Sequence, residues 1–295
     1  GNVLPDEAPE LARHGLTASL SDRAVADALC AAGRQQGRRL PVFVEVDTGM
    51  GRVGFHPYPQ AADFIVEVAR RPELELVGVF CHFPTADDAD KSFARLQIDR
   101  LLAVRRAVAA AGVNVPLWSM ANSSAVCDLP ESHLDLVRPG IMVYGYRPSP
   151  ECRGGNELRP AMSLRSRIVF LKQVAQGTDL GYGRSYTVSA DRSLVATVPI
   201  GYADGYARAL SNRAPVLIGG RRYRVSGRVS MDQITVDLGP DALAAVGDEV
   251  VLFGRQGDAC VTVDEIAALL GTITYEVTCG LSKRVPRVWV NADAE

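Results

Sequence analysis

Side chains capable of chemistry recur in the first half of the sequence, each just after a run that reads as a strand. Asp47 and Arg52 follow Val42–Val46 in the stretch Asp47-Thr-Gly-Met-Gly-Arg52. His82 ends Leu76–Cys81, Asn122 and Ser123 follow Pro116–Met120, and Arg138-Pro-Gly-Ile141 follows Leu134–Val137. The residue types suit an anionic ligand. Arg52 and Arg138 can bind a carboxylate, a phosphate or a ring nitrogen. The Ser123 hydroxyl and the backbone N–H groups after Gly140 can cradle a phosphate, and His82 can relay protons. Taken singly, each is more often a loop cap. Four such clusters at one end of successive strands point to a shared pocket, and none calls for a metal.

The second half has its own set. Tyr182 stands between Gly181 and Gly183, a pattern shared by an aromatic exposed beside a ligand and by a plain hairpin. Gly201-Tyr-Ala-Asp-Gly205 repeats it with Tyr202, and Gly227-Arg-Val-Ser-Met-Asp232 mixes apolar and charged residues. A tyrosine used as a base needs cationic help, because its ordinary pKa is near ~10.

The elements that must position these residues change character midway. In the first half the strands alternate with helices read at about Ser21–Ala32 (with Ser21 as N-cap), Ala61–Ala69, Phe93–Ala111 and near Ala125. Strands joined by helix-length crossovers imply a parallel sheet, in a barrel or doubly wound. The second half reads as strands at Leu164–Val174, Leu194–Ile200, Pro215–Val225, Gln233–Val236 and Glu249–Phe253, with Gly219-Gly220 as a hairpin turn. One helix interrupts them, opened by the Thr262/Glu265 capping box and closed by Gly271. The polar, Gly-rich Pro148–Glu157 stretch reads as a linker. The expected domains are therefore 1–157, α/β, and 158–295, mainly β.

Composition narrows the class. The 295 residues are 47% hydrophobic and 22% charged with a net charge of -2, which implies no nucleic-acid field. No apolar run reaches the ~20 residues of a membrane helix. The six cysteines are scattered without C-x-x-C pairs or zinc spacing, as in a protein of reduced thiols. A cytoplasmic location is expected.

Eight stretches in order then make the pattern specific: Asp47-Thr-Gly-Met-Gly-Arg-Val-Gly-Phe55, His82-Phe-Pro-Thr-Ala-Asp87, Ala121-Asn-Ser-Ser124, Arg138-Pro-Gly-Ile141, Tyr182-Gly183, Ile200-Gly-Tyr-Ala-Asp-Gly205, Gly227-Arg-Val-Ser-Met-Asp232 and Tyr275-Glu-Val277. This succession resembles the alanine racemase family along the whole chain. The resemblance implies a (β/α)8 barrel that binds pyridoxal 5'-phosphate, followed by a β domain, in a homodimer with shared active sites. It implies interconversion of L- and D-alanine by two-base proton transfer, supplying D-alanine for peptidoglycan. Tyr182 would be one base, assisted by His82. Arg138 would approach the pyridine nitrogen, and its permanent charge would disfavour ring protonation. Asn122, Ser123, Gly140, Ile141 and Tyr275 would form the rest of the cofactor site. Arg52 and Met231 would contact substrate, with Tyr202, Asp232, Asp87, Arg208 and Arg228 along its corridor. Asp204 reads as turn chemistry, and Arg284 and Arg287 as structural ion pairs.

Two departures from the family pattern stand out. The family's cofactor lysine lies in a Lys-Ala-x-Ala-Tyr-Gly motif after the first barrel strand, and no such motif occurs here. Lys91 reads as helical and Lys172 and Lys283 lie in the β half. The chain is thus expected to be N-terminally truncated, its barrel incomplete and the chain itself inactive. Glu45 stands where some family members carry a carbamylated lysine, and it is expected to supply the negative charge that orients Arg52. A racemase of broader specificity, a non-catalytic homologue and a single-domain pyridoxal-phosphate-binding barrel are the competing readings. The β half, with its own tyrosines, speaks against the last.

Overall fold

The computed structural model describes residues 2–290 in two compact units, Gly1–Arg159 and Pro160–Glu295. In the first unit, α1 (Ala8–His14) precedes four strand-helix steps: β1 (Ala18–Leu20) and α2 (Arg23–Gln36), β2 (Leu40–Glu45) and α3 (Ala61–Ala69), β3 (Leu74–Phe80) and α4 (Ser92–Ala110), β4 (Leu117–Ser119) and α5 (Ser123–Asp128). The strands pair in parallel in the order β1-β2-β3-β4. One face of β2 buries Val42 and Val44 completely, and Phe64, Ile65 and Leu101 of α3 and α4 are equally buried in the same core. Each such side chain contributes about 1.5–3 kcal/mol relative to exposure.

The opposite face of the sheet carries polar residues at its carboxyl end. In register, Glu45 lies beside Phe80 and Phe80 beside Ser119. Partners in a parallel ladder share a face, so these three form a row across three strands. A register shift between Val42 and Phe43 precedes the row, where Phe43 pairs with Gly78. A Cβ on Gly78 would stand 2.4 Å from the Phe43 ring and 2.7 Å from the Leu117 carbonyl, so only glycine fits there.

Two expectations are corrected in this unit. Asp22, not Ser21, caps α2, its Oδ1 accepting from Val25 N at 3.0 Å. The expected strand at Leu134–Val137 is reduced to one bridge, Ser119 to Leu136. There the Asp135 carboxylate accepts the Trp118 N–H at 2.9 Å, a place that a backbone carbonyl would fill in a full ladder.

In the second unit the expected strand Leu164–Val174 is two: β5 (Leu164–Arg167) and β6 (Phe170–Ala175). β7 (Asp179–Leu180) and β8 (Tyr186–Thr187) pair with each other around Tyr182. β9 (Arg192–Val198), β10 (Pro215–Ile218), β11 (Arg221–Arg224), β12 (Ile234–Asp237), β13 (Glu249–Gln256) and β14 (Ala259–Val261) complete the strands. β5 joins β13, whereas β6 joins β9, so the chain changes sheets at Ile168-Val169. Thr262 caps α6 (Val263–Leu270) through Glu265 N, and Gly271 closes it in the left-handed region. A further helix not foreseen, α7 (Thr274–Cys279), contains Tyr275.

Candidate active site

Arg138 is the hub of the first unit's site. Its guanidinium lies 5.0 Å from the Phe80 ring centroid, over the row of Glu45, Phe80 and Ser119. Nη1 donates to Ser119 Oγ, Nη2 donates to the Cys81 carbonyl at 2.7 Å, and Nη2 stands 3.4 Å from His82 Nδ1. A guanidinium has no acceptor, so Nδ1 must accept and the imidazole proton must sit on Nε2. The electrostatics agree: burial, then the positive charges of Arg138 and Arg52, push the His82 pKa down to about 4. His82 is therefore neutral at pH 7. Burial also lowers the pKa of Arg138 itself, though a guanidinium stays charged.

Glu45 is buried at the end of β2. Burial pushes its carboxyl pKa up, while Arg52 first and Arg138 second pull it back. Arg52 itself is exposed, on a loop closed by Phe55 N donating to Glu45 O at 2.7 Å and folded around Asp47. Asp47 Oδ1 accepts from Gly49 N at 2.9 Å and Gly51 N at 3.0 Å.

Beside the hub, Ser123 begins α5. Asn122 caps that helix, its Oδ1 accepting from Ala125 N at 3.1 Å, and its Nδ2 donates to the Phe83 carbonyl at 3.4 Å. Ser123 Oγ accepts from Gly140 N at 2.8 Å and Met142 N at 3.5 Å. Both acceptor positions of the hydroxyl are then used by the 140–142 turn, which leaves its proton to donate. Gly140 leaves ordinary room there, since a Cβ would lie 3.9 Å from Ser123 Oγ. A hydroxyl donor held on a turn of backbone N–H groups, with a half-buried permanent cation in the same unit, fits a phosphate joined to a nitrogen heterocycle such as pyridoxal phosphate.

The structure thus brings together Arg138, His82, Ser123, Gly140, Asn122 and Ile141, with Arg52 linked through Glu45. Ser119, at the same strand end as Asn122, and Gln97 and Arg100 on α4 join these residues without belonging to any of the sequence motifs. Helical periodicity alone marks those two as surface or core residues. Lys91 stands at the N-cap of α4 rather than within it. Its ammonium donates to the Ala86 carbonyl at 2.8 Å and pairs with Asp128 at 3.1 Å. Lys172 lies in β6, and Lys283 is exposed beyond α7.

The second unit gathers its own candidates. Tyr182 is 70% exposed, on a turn where a Cβ on Gly183 would meet the Arg228 guanidinium at 3.1 Å. Tyr202 and Met231 are exposed on adjoining turns: Tyr202 N donates to Ser230 O at 3.1 Å, and Ala203 N donates to Met231 O at 3.0 Å. Asp204 has the turn role expected of it, accepting from Gly201 N at 2.9 Å. Arg284 joins Asp204 at 3.3 Å to Asp232 at 2.8 Å. Arg287 makes no ion pair among the described residues. It donates instead to the carbonyls of Leu281, Ser282 and Val285. Tyr275 is half-buried in α7.

Comparison with known proteins places this arrangement. The family model for the alanine racemase N-terminal domain matches residues 1–148, and that for the C-terminal domain matches residues 161–289. The alanine racemase of Desulfovibrio desulfuricans is 46% identical over 290 residues, which are 98% of this chain and 77% of that one. The solved alanine racemase of Clostridium difficile 630 superposes with a TM-score of 0.91 at 37% identity, covering 97% of this chain and 74% of the other. That of Streptomyces lavendulae gives 0.90 at 37%, covering 97% and 75%. The chain belongs to the alanine racemase family, whose reaction is the interconversion of L- and D-alanine.

Proposed function

We propose that the protein racemises alanine by two-base proton transfer at Cα, with Tyr182 as the base that faces L-alanine. The observation that supports this most directly is the Arg138 hub, which holds a cation against a neutral imidazole at the strand ends, with the Ser123 hydroxyl held by the turn that follows Arg138. Pyridoxal phosphate, when bound, supplies the electron sink that makes Cα acidic. Ser123, Gly140, Ile141 and Tyr275 would hold its phosphate, with Asn122 fixing the start of α5, and Arg138 would hold the ring nitrogen. Arg138 stays positive throughout, so it disfavours a second positive charge on the ring and limits side reactions. His82, neutral with its proton on Nε2, links Arg138 to the phenol of Tyr182 and supplies the polarisation that a tyrosine base requires. Arg52, oriented by Glu45, binds the substrate carboxylate. Met231 supplies an apolar contact, and Tyr202 and Asp232 line the approach.

The exposure of Tyr182, Tyr202 and Met231 supports a homodimer in which one protomer's β unit completes its partner's site. D-alanine for peptidoglycan in the cytoplasm is the role this activity serves. No helix among the described residues is long and apolar enough to cross a membrane.

The three lysines of the sequence carry a further proposal. Lys91 is engaged by Asp128 and the Ala86 carbonyl, Lys172 lies in β6 and Lys283 beyond α7, and none of the three stands in the family's Lys-Ala-x-Ala-Tyr-Gly motif. We infer that none of them anchors the cofactor and that these 295 residues alone do not racemise alanine.

The test is Cα proton exchange in deuterated buffer, using a chain supplied with the family's lysine motif. Tyr182→Phe is expected to lower racemisation by about 10²–10⁴. It should stop exchange from L-alanine while sparing exchange from D-alanine. Equal loss from both enantiomers would contradict the assignment.

A further inference from the structure

We infer that Gln97, on α4 and outside every motif described above, is a positioning residue that sets the substrate-carboxylate loop against His82. The inference rests on the reading of Arg52 and His82 as site residues.

Gln97 is completely buried. Its Nε2 donates twice, to Thr48 Oγ1 at 3.1 Å and to the His82 carbonyl at 3.1 Å. Thr48 belongs to the Asp47–Arg52 loop and His82 ends β3. One amide therefore ties two strand-end loops that come from different strand-helix steps, 49 and 15 residues away in sequence. One helical turn on, Arg100 shares this face. Its Nη1 donates to the Thr48 carbonyl at 2.7 Å, and its guanidinium lies over the rings of Tyr58 and Phe93. The loop lies close against α4 here, since a Cβ on Gly49 would stand 2.8 Å from the Phe93 ring.

The other end of the same amide argues against a packing role. Gln97 Oε1 is buried and has no hydrogen-bond partner. An unsatisfied buried carbonyl is destabilising, and an apolar side chain of similar size would remove that penalty. If Gln97 served only to fill space, leucine would serve better. Its two donations to functional loops are what a leucine would lose. Thr48 and Arg52 sit at opposite ends of a loop whose interior is fixed by Asp47, so a displaced Thr48 shifts Arg52 relative to His82. The expected consequence is weaker carboxylate binding rather than slower chemistry at Cα.

The test uses Gln97→Leu and Gln97→Glu, with Gln97→Met as the flexible alternative should leucine not fold. Three quantities are measured: thermal stability, the His82 imidazole titration by NMR on the substrate-free chain, and KM and kcat for alanine in holoenzyme bearing the lysine motif. For Gln97→Leu the expected result is a lowered Tm, because Thr48 Oγ1 and the His82 carbonyl lose their donor, together with a rise of roughly fivefold to tenfold in KM and a smaller change in kcat. The His82 titration should move upward from about 4 as its strand end loosens and admits water. Gln97→Glu keeps the volume, and the Thr48 hydroxyl can turn to donate to the carboxylate, but an oxygen now faces the His82 carbonyl. It should shift the His82 titration while hydrogen exchange of residues 48–53 stays native. A Gln97→Leu or Gln97→Met enzyme with native KM and native His82 titration would overturn the inference, and so would lost stability with both of those unchanged. The His82 titration involves no substrate, so a failure of the racemase assignment would leave that result standing.

Discussion

At the scale of single residues, the proposed site would hold its charge states fixed before substrate arrives. The folded His82 pKa of about 4 lies below its ordinary value near ~6.5. Between those two values the unfolded chain binds more protons than the folded one, so stability rises with pH. His82 therefore contributes stability that is fully present above pH ~6.5 and is lost as pH falls through about 4. Unfolding curves over pH 4–7 for the native chain and His82→Gln should differ in that window, with the variant showing the flatter dependence. Glu45 has the opposite sign. Its raised pKa means that its buried carboxylate costs stability as pH rises through the folded value, and Glu45→Gln should relieve that cost. The same substitution should raise KM for alanine through a less oriented Arg52; an unchanged KM would remove Glu45 from the account. Ser123→Ala would strand the N–H groups of Gly140 and Met142 and remove the donor to phosphate. A loss of about 1–3 kcal/mol in stability is expected, with weaker cofactor binding in an absorbance titration.

At the scale of elements, caps and close approaches carry the function. Asn122 both starts α5 and ties it to Phe83, so Asn122→Ala should cost about 0.5–2 kcal/mol in denaturant unfolding. Gly201 is where the Tyr202 turn meets the Met231 turn. A Cβ there would stand 2.3 Å from the carbonyls of both Ser230 and Met231. Gly201→Ala should therefore displace both exposed side chains and cost about 1–3 kcal/mol or more. Most of these elements were legible in the sequence. Helix α3 falls at the expected residues, and the Thr262 and Gly271 caps are where they were read. The misses have physical causes. Asp135 replaces a ladder carbonyl with a carboxylate, which shortens the expected strand at Leu134–Val137 to a bridge. The break at Ile168-Val169 has no local signal, because two sheets compete for one apolar run and tertiary pairing decides. The candidate residues around Arg138 drew notice in the sequence because they follow strands, whereas Ser119 and Gln97 become visible only once register and helix face are known.

At the scale of the whole molecule, one unit presents the Arg138 guanidinium and the Ser123 hydroxyl at strand ends, and the other presents exposed tyrosines on glycine turns. In the proposed dimer these surfaces meet across protomers. Sedimentation of the lysine-bearing enzyme should then give a dimer that dissociates on dilution in parallel with loss of activity, and an active monomer would contradict shared sites. The family assignment was legible from eight short stretches because their order and spacing are collectively specific. The proposal that none of this chain's lysines anchors the cofactor is open to direct measurement. The chain would be titrated with pyridoxal phosphate, reduced with borohydride and mapped by mass spectrometry. Saturable binding that Ser123→Ala weakens is expected, with no reduced adduct concentrated on Lys91, Lys172 or Lys283. A single stoichiometric adduct on one of those lysines, accompanied by alanine racemisation, would contradict the proposal.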